Sequence, residues 1–276
     1  MGPGFSHSGT GGRAQKFCAP RPFLRAARKG GLLFLKPVQQ PKHPVLGILG
    51  GLGPMSTVYF YEMLTKHTVA HCDQDHLDIV ISSRATTPDR TAYILGQSHE
   101  DPFAVMEQDA RMLVEYGATL LAIPCNTAHY FYDRLSRSLP VPVLNMVQLT
   151  ARQAKKMGCT KLGILATTGT VASGTYQAVC EAEGLQWAVP SPARQSALME
   201  IIYCQIKQGQ RVDMARFMEI ADELRAAGCQ QAVLGCTELS LIKRDEGLDS
   251  FFLDSTEVLA KETLAVCGKP SEGFSF

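Results

Sequence analysis

Residues 120–129 read Leu-Leu-Ala-Ile-Pro-Cys-Asn-Thr-Ala-His, an apolar run that ends at a cysteine and continues with polar residues. This pattern predicts a buried strand of a parallel sheet that stops, turns and leads into a helix. Thr127 has the side chain expected at a helix N-cap. Cys125 is therefore predicted at the carboxyl end of a strand, where open α/β sheets bind ligands and where a helix N-terminus lowers the pKa of a thiol.

The same arrangement occurs a second time in the chain. Gly117 precedes Cys125 by eight residues and Gly228 precedes Cys236 by eight residues, each across an apolar run. Leu-Gly-Ile-Leu also occurs twice, at residues 46–49 and 162–165, each time before a loop rich in small residues. The offsets of 111 and 116 residues nearly agree, which predicts an internal duplication. One cysteine would then lie at the equivalent strand end of each half.

Short apolar runs alternate with segments of helical periodicity along the chain. This alternation predicts an α/β fold in which two pseudo-symmetric parallel-sheet domains face each other, with the active site in the cleft between them. We expect a first domain at residues 44–147 and a second at 148–249, and residues 250–268 could return to the first. The predicted strands are 45–49, 77–82, 120–123, 141–144, 161–165, 185–189, 231–234 and 251–253. The main predicted helices are 55–68, 102–116, 128–138, 171–183, 197–207, 214–227 and 256–266.

Residues 1–43 differ in composition from the rest of the chain. They contain eight Lys or Arg residues and no Asp or Glu, with frequent Gly and Pro. An Arg-rich, acid-free leader resembles an organelle transit peptide. A misassigned start and a basic, disordered N-terminal extension are the alternatives.

Composition favours a cytoplasmic protein and gives no sign of nucleic-acid or membrane partners. The net charge of +1 does not favour nucleic-acid or membrane binding, and no apolar run is long enough to span a bilayer. The nine cysteines are an odd number without a CxxC pair, as expected for reduced thiols rather than a disulfide framework. His67, His71 and Cys72 could be mistaken for a metal site, but no HExxH motif accompanies them and we predict no metal.

Two cysteines on opposite sides of a cleft suit a particular chemistry. Inversion of a stereocentre needs a base on one face of a carbon and an acid on the other. A thiol has an ordinary pKa of about 8.5, so one sulfur can act as thiolate while the other acts as thiol. Most single free cysteines are only buried and inert, but repeat-related placement favours a functional role for Cys125 and Cys236.

Five motifs carry a family resemblance. They are Gly-Ile-Leu-Gly-Gly-Leu-Gly-Pro (47–54), Pro-Asp-Arg-Thr-Ala-Tyr-Ile-Leu-Gly (88–96), Pro-Cys-Asn-Thr-Ala-His (124–129), Leu-Ala-Thr-Thr-Gly-Thr (165–170) and Gly-Cys-Thr-Glu (235–238). Together they resemble the cofactor-independent aspartate/glutamate racemase superfamily, and most of all its aspartate racemases. The resemblance implies an isomerase that interconverts L- and D-aspartate without pyridoxal phosphate or metal, and usually as a homodimer.

The resemblance also implies roles for individual residues. Cys125 and Cys236 would be the catalytic acid and base, and Arg90 and Lys207 would hold the side-chain carboxylate of the substrate. The α-carboxylate and amino group would be bound by Asn126, Thr127, Thr167 and Thr237. An arginine is also what chemistry favours for a carboxylate, because its planar fork binds both oxygens. Lys207 has an alternative role, since it ends a helix and could simply complement the helix dipole.

Several other functions stay open at this point. The first glycine loop lacks the Asp of glutamate racemases, and Glu238 stands where those enzymes carry a His, which argues against glutamate as the preferred substrate. Racemisation of another amino acid and maleate isomerisation are alternatives within the superfamily. A non-enzymatic protein that binds a small carboxylate is the alternative outside it.

Overall fold

A computed structural model describes residues 43–276, so the predicted N-terminal extension lies outside the described part of the chain except for His43. The first half of this part contains a parallel sheet in the order β2-β1-β3. Its strands are β1 (Val45–Gly50), β2 (Asp78–Ser83) and β3 (Leu120–Ala122). Both β1 and β3 are buried along their whole length, as expected for strands covered on both faces.

The second half contains a parallel sheet in the order β5-β4-β6-β7. Its strands are β4 (Lys161–Ala166), β5 (Gln186–Ala188), β6 (Gln231–Gly235) and β7 (Phe252–Asp254). The first three strands of each half are arranged identically, with the first strand between the second and the third. The predicted α/β class with two pseudo-symmetric parallel sheets is therefore confirmed.

Helices connect the strands of both sheets. In the first half they are α1 (Pro54–His67), α2 (Arg90–Ile94), α3 (Pro102–Glu115), α4 (Tyr132–Ser138) and α5 (Met146–Lys156). In the second half they are α6 (Thr168–Ala172), α7 (Thr175–Glu183), α8 (Pro192–Glu200), α9 (Met214–Ala226), α10 (Thr237–Glu246) and α11 (Ser255–Val266). Short 3₁₀-helices cover Asp73–Asp75, Thr127–Phe131 and Ile206–Gln208, and a π-helix covers Ile201–Gln205.

The duplication is visible in the packing of helices on the central strands. Gly47 lies in β1 and Gly163 in β4, at equivalent places of the repeated Leu-Gly-Ile-Leu sequence. A Cβ atom on Gly47 would lie 3.3 Å from the Cβ of Leu113 in α3, and one on Gly163 would lie 3.3 Å from the Cβ of Leu224 in α9. Leu113 and Leu224 are 111 residues apart, the same offset as the two cysteines. Each glycine therefore lets the equivalent helix pack closely on its sheet.

Several predicted elements differ from the structure, two of them for identifiable reasons. The predicted strand at 141–144 is only an isolated bridge between Leu121 and Val143, because Pro142 has no N–H to donate to a ladder. The predicted helix at 171–183 is interrupted between α6 and α7, where Gly174 adopts a left-handed conformation. Helix α5 was not predicted, and its N-terminus is capped by the side chain of Asn145.

Residues 250–268 return to the first half only in part. Strand β7 pairs with β6 and so belongs to the second sheet, contrary to the expectation that this strand could return. Helix α11 does pack on the first half, since Leu259 and Leu264 share a core with Leu46 and Ile48 of β1. The domain limits 44–147 and 148–249 stay a prediction. In the described part of the chain, no helix combines the length and apolar character needed to cross a membrane.

Candidate active site

A cleft of about 310 Å³ opens where β1, β3, β4 and β6 end. Every site residue predicted from the sequence lines this cleft: Arg90, Cys125, Asn126, Thr127, Thr167, Lys207, Cys236 and Thr237. Leu52, Asp89, Thr91, Tyr203 and Glu238 complete the lining. The carboxyl ends of the two sheets thus contribute to a single cavity, as open α/β sheets do at their ligand sites.

Cys125 follows β3 and is almost completely buried. Burial raises the pKa of its thiol, while the nearby Arg90 guanidinium and the backbone N–H of Ala128 act in the opposite direction. The expectation that the helix N-terminus would give a lowered pKa is therefore wrong in the free protein, because desolvation of the sulfur outweighs the helix amide.

Asn126 is held in place by two buried hydroxyl groups. Its Oδ1 accepts a hydrogen bond from the Tyr176 hydroxyl at 2.6 Å, and its Nδ2 donates to Ser255 Oγ at 3.0 Å. Tyr176 and Ser255 belong to α7 and α11, so distant parts of the chain fix this side chain. A side chain fixed in this way can present its remaining polar groups to a ligand without losing further entropy.

Three threonines form a hydrogen-bonded triangle at the cleft. Thr127 Oγ1 lies 3.0 Å from Thr167 Oγ1 and 2.9 Å from Thr170 Oγ1, and the last two are 3.0 Å apart. Thr127 belongs to the first half and the other two to the second, so the triangle links the halves. The expected N-cap role of Thr127 is wrong, because Asn126 precedes the 3₁₀-helix and the Thr127 hydroxyl contacts these threonines instead.

Arg90 begins helix α2 and is buried at the cleft. Its guanidinium donates to the backbone carbonyls of Thr87 and Pro88 at 3.2 and 3.0 Å and to that of Leu52 at 3.2 Å. These carbonyls orient the cation without neutralising its charge. The guanidinium therefore retains its full positive charge for a carboxylate in the cleft.

Lys207 lies on the 3₁₀-helix that follows the π-helix, and it forms an ion pair of 2.8 Å with Glu238. Its ammonium group also lies 5.3 Å from the ring centroid of Tyr203, in a cation–π contact. Burial would lower the pKa of Lys207, but the charge and hydrogen bond of Glu238 raise it above the ordinary value. The lysine is therefore a cation with a partner of its own, rather than only a complement to a helix dipole.

Cys236 follows β6 and immediately precedes α10. Its thiol donates to Glu238 Oε2 at 2.9 Å. Burial raises the pKa of Cys236 well above its ordinary value, and the charge and hydrogen bond of Glu238 raise it further. Thr237 is the first residue of α10 and is buried beside this contact.

Two polar side chains that do not line the cleft, those of His129 and Arg84, have structural roles. His129 contacts the carbonyl of Cys125 through Nδ1 at 2.9 Å and accepts from the Met146 N–H through Nε2, so it supports the turn after β3. Arg84 forms a bidentate pair with Asp109 through bonds of 2.9 and 2.6 Å. Among residues 43–276, no group of three or more His, Cys, Asp or Glu side chains is arranged to hold a metal ion.

Sequence reasoning missed two residues that complete the site. Glu238 was noted only as a difference from glutamate racemases, although a carboxylate two residues after Cys236 is close enough to contact the thiol. Tyr203 lies four residues before Lys207, a spacing that brings two side chains to the same side of a helix. Neither signal identifies a contact without the tertiary structure.

Comparisons with known proteins agree with this architecture. Bacillus subtilis (strain 168) has a broad specificity amino-acid racemase, RacX, that is 27% identical over 229 residues, covering 80% of this chain and 97% of that protein. A glutamate racemase of Lysinibacillus sphaericus is 27% identical over 193 residues, covering 63% of this chain and 71% of that protein. The structure of the Picrophilus torridus aspartate racemase superposes with a TM-score of 0.73 at 29% identity, covering 83% of this chain and 96% of that one.

The model of one protein family matches most of the folded chain. The match covers residues 49–263, which include both strand-end cysteines and every residue that lines the cleft. The chain therefore belongs to the Asp/Glu/Hydantoin racemase family.

Proposed function

We propose that this member of the racemase family interconverts L- and D-aspartate without a cofactor, by proton transfer between the Cα atom of aspartate and the thiols of Cys125 and Cys236. The observation that carries the proposal is that two cysteines from repeat-related strand ends line the same small cleft. Each belongs to a different half of the fold. That origin supports an approach to the substrate from opposite sides.

In the proposed mechanism, one sulfur is a thiolate and removes the proton from Cα. The other sulfur is a thiol and delivers its proton to the opposite face, which inverts the configuration. The roles exchange for the other enantiomer. Positioned acid and base groups of this kind contribute factors of about 10² to 10⁴ to a rate.

The remaining cleft residues have the groups that a dicarboxylic amino acid requires. We assign the α-carboxylate and the amino group to Asn126, Thr127, Thr167 and Thr237. Arg90 and Lys207 receive the side-chain carboxylate, and the uncompensated charge of Arg90 is the main electrostatic attraction. The 29% identity to the Picrophilus torridus aspartate racemase supports aspartate as the substrate.

The two cysteines can be tested with a matched control. Cys125→Ser and Cys236→Ser should each lower kcat/KM for aspartate by at least about 100-fold, because a hydroxyl is a far weaker acid than a thiol and is almost never ionised to act as a base near neutral pH. Cys204→Ser is the control, since Cys204 is exposed and does not line the cleft. Racemisation is measured by chiral chromatography, and incorporation of solvent deuterium at Cα is measured in parallel. Full activity of either cleft variant would refute the two-base scheme.

A broader substrate range is the second candidate. Relatives include a broad specificity racemase and the glutamate racemase of Lysinibacillus sphaericus, and each of these two is 27% identical to this chain. Separate incubations with the L-enantiomers of aspartate, glutamate, alanine and lysine distinguish the two candidates. Aspartate should have the highest kcat/KM, and comparable values for several amino acids would favour broad specificity. If deuterium exchanged into none of them and a carboxylate ligand still bound saturably, the alternative of a carboxylate-binding protein would be supported.

We also propose that the protein is a homodimer. Helix α1 exposes three apolar side chains on one side, Met55, Val58 and Tyr61, with exposed fractions of 56, 56 and 46%. A row of exposed apolar side chains on one helix is typical of a surface that a partner covers. Light scattering should give twice the chain mass, and Val58→Glu should shift it to the single-chain value. A monomeric wild-type protein would exclude this arrangement.

A further inference from the structure

Glu238 is a buried carboxylate that contacts two residues proposed to act on the substrate. Only 6% of its surface is exposed. Its Oε2 accepts the hydrogen bond of the Cys236 thiol at 2.9 Å, and its Oε1 lies 2.8 Å from Lys207 Nζ. One carboxylate thus joins a thiol to an ammonium group at the edge of the cleft.

The glycine loop leaves space for this carboxylate. A Cβ atom on Gly53 would lie only 2.6 Å from Glu238 Oε1. Gly53 belongs to the first half of the fold, whereas Glu238, Cys236 and Lys207 belong to the second. The lack of a side chain at Gly53 therefore leaves room for the carboxylate, which contacts Cys236 and Lys207 of the second half.

The two cysteines differ in their surroundings. The Cys236 thiol donates a hydrogen bond directly to a carboxylate, whereas the charge of the Arg90 guanidinium acts to lower the pKa of Cys125. A carboxylate acceptor favours a protonated sulfur, and a neighbouring cation favours a thiolate. In the free protein, the two sulfurs are therefore not equivalent acids.

We propose that Glu238 is a positioning residue that holds the proton of Cys236 and takes it when a substrate carboxylate draws Lys207 away. This inference rests on the proposed function. In the step, the Sγ–H bond of Cys236 breaks, an O–H bond forms at Glu238 Oε2, and the electron pair stays on sulfur as a thiolate. After the transfer at Cα, Cys236 holds the proton removed from the substrate and Cys125 is a thiolate. When the product leaves and Lys207 pairs with Glu238 again, Glu238 therefore releases its proton to solvent and Cys125 takes one from solvent.

The physical driving force is the exchange of a counter-ion. While Lys207 lies against Glu238, its charge stabilises the ionised carboxylate and keeps the proton on sulfur. When Lys207 turns to the substrate, Glu238 loses that stabilisation while its carboxylate stays buried. It then becomes a better proton acceptor, so the thiolate of Cys236 forms only when a substrate is present.

The first test measures the acidity of Cys236 itself. Alkylation by iodoacetamide is followed at pH 8 by mass spectrometry of the peptide that contains Cys236. Glu238→Gln should speed this alkylation about tenfold, equivalent to one pKa unit, because the carboxylate that favours the protonated thiol is gone. Glu238→Asp keeps a carboxylate and should give an alkylation rate between those of the wild type and Glu238→Gln. This variant also provides the test if Glu238→Gln fails to fold.

The control is another buried Glu–Lys pair outside the cleft. Glu257 is 8% exposed and its Oε2 lies 2.8 Å from Lys243 Nζ, so it matches Glu238 in burial and in its ion pair. Glu257→Gln should leave the alkylation rate of Cys236 unchanged. If Glu238→Gln also left it unchanged, Glu238 would be only a structural partner of Lys207 and the inference would be wrong.

The second test measures racemisation. Glu238→Gln should lower kcat/KM for L- and D-aspartate by the same factor, about 10- to 100-fold, since the two enantiomers have equal free energies and proton handling is impaired in both directions. The pH profile of kcat/KM should shift to lower pH in the variant. If the wild-type enzyme is active and the pH profile of Glu238→Gln is the same as that of the wild type, the inference is wrong. Absence of racemisation by the wild-type protein would instead refute the proposed function.

Discussion

Arg90 obtains its orientation from the main chain. Three carbonyls from two separate loops, those of Leu52, Thr87 and Pro88, accept hydrogen bonds from its terminal nitrogens. Its Nε is buried without a partner within the described residues, which leaves one further donor close to the cleft. A planar guanidinium can satisfy several fixed acceptors at once, whereas a lysine ammonium on a flexible stem cannot.

Arg90→Lys should therefore weaken substrate binding. Loss of two charge-assisted hydrogen bonds in a buried site corresponds to an increase in KM for aspartate of about 10- to 100-fold, with a smaller effect on kcat. Steady-state kinetics measures both constants. Arg111→Lys is the control, because Arg111 forms an exposed pair with Glu107 on α3. Unchanged KM in the Arg90 variant would show that this cation does not bind the substrate.

At the scale of secondary-structure elements, the cleft depends on irregular segments at the ends of strands and helices. The loop after β1 brings Gly53 against Glu238, with φ of 137° at that glycine. The π-helix Ile201–Gln205 interrupts the segment between α8 and the 3₁₀-helix that carries Lys207. Such single-turn π-helices often occur at functional sites. Here it lies directly before the lysine and carries Tyr203.

Gly53→Ala and Gly96→Ala separate backbone strain from contact with the site. Both glycines have positive φ, 137° and 70°, but a Cβ atom on Gly96 would have no heavy atom within 4 Å. Gly96→Ala should cost about 1 kcal/mol of unfolding free energy and leave activity unchanged. Gly53→Ala should cost about 1–3 kcal/mol and also lower kcat/KM, because its methyl group would displace the Glu238 carboxylate. Urea unfolding and racemisation assays measure the two effects, and equal activity of both variants would contradict the expectation.

At the scale of the whole molecule, one buried carboxylate, that of Asp254, makes the stability of the fold depend on pH. Asp254 ends β7 and is fully buried. Its Oδ1 accepts from Ser240 Oγ and from the Thr256 N–H, each at 2.7 Å, while its Oδ2 is buried without a partner within residues 43–276. Burial, assisted by the charge of Glu257, raises the pKa of Asp254 to about 6.

This pKa predicts the sign of a pH effect on stability. An unfolded Asp has a pKa of about 3.9, so between about pH 4 and pH 6 the folded protein binds the extra proton. The contribution of Asp254 to stability should therefore fall as pH rises through that window and stay constant above it. A difference of two pKa units corresponds to about 3 kcal/mol.

Asp254→Asn isolates this contribution. Its Oδ1 can still accept from Ser240 and Thr256, but it carries no charge to desolvate. The unfolding free energy of the variant minus that of the wild type should increase by up to about 3 kcal/mol from pH 4 to pH 7, measured by urea denaturation. Asp245→Asn is the control, since Arg244 lowers the pKa of that exposed carboxylate and its contribution to stability should change little between pH 4 and pH 7. A difference that did not change with pH would show that folding does not raise the pKa of Asp254.

The sequence by itself determined the features that depend on local pattern. The alternation of buried runs and helical periodicity predicted all seven strands, and the repeated Leu-Gly-Ile-Leu and Gly-to-Cys spacings predicted the duplication. Because ligands bind at the carboxyl ends of the strands in open α/β sheets, the same patterns predicted that Cys125, Cys236 and the neighbouring threonines would face one another across a cleft between the two sheets. The bridge at Val143 and the break at Gly174 were missed because a single proline or glycine can interrupt an otherwise regular pattern.

Only the tertiary structure decided how the cleft residues contact one another. Neither composition nor spacing shows that Glu238 binds both Cys236 and Lys207, or that three carbonyls hold Arg90. The pKa directions of the two thiols also depended on burial, which outweighed the helix amides expected from the sequence. Periodicity along the chain specifies which face of an element is buried. Contacts between charged groups and the desolvation of each depend on distances across the fold, and those exist only after the two halves have packed.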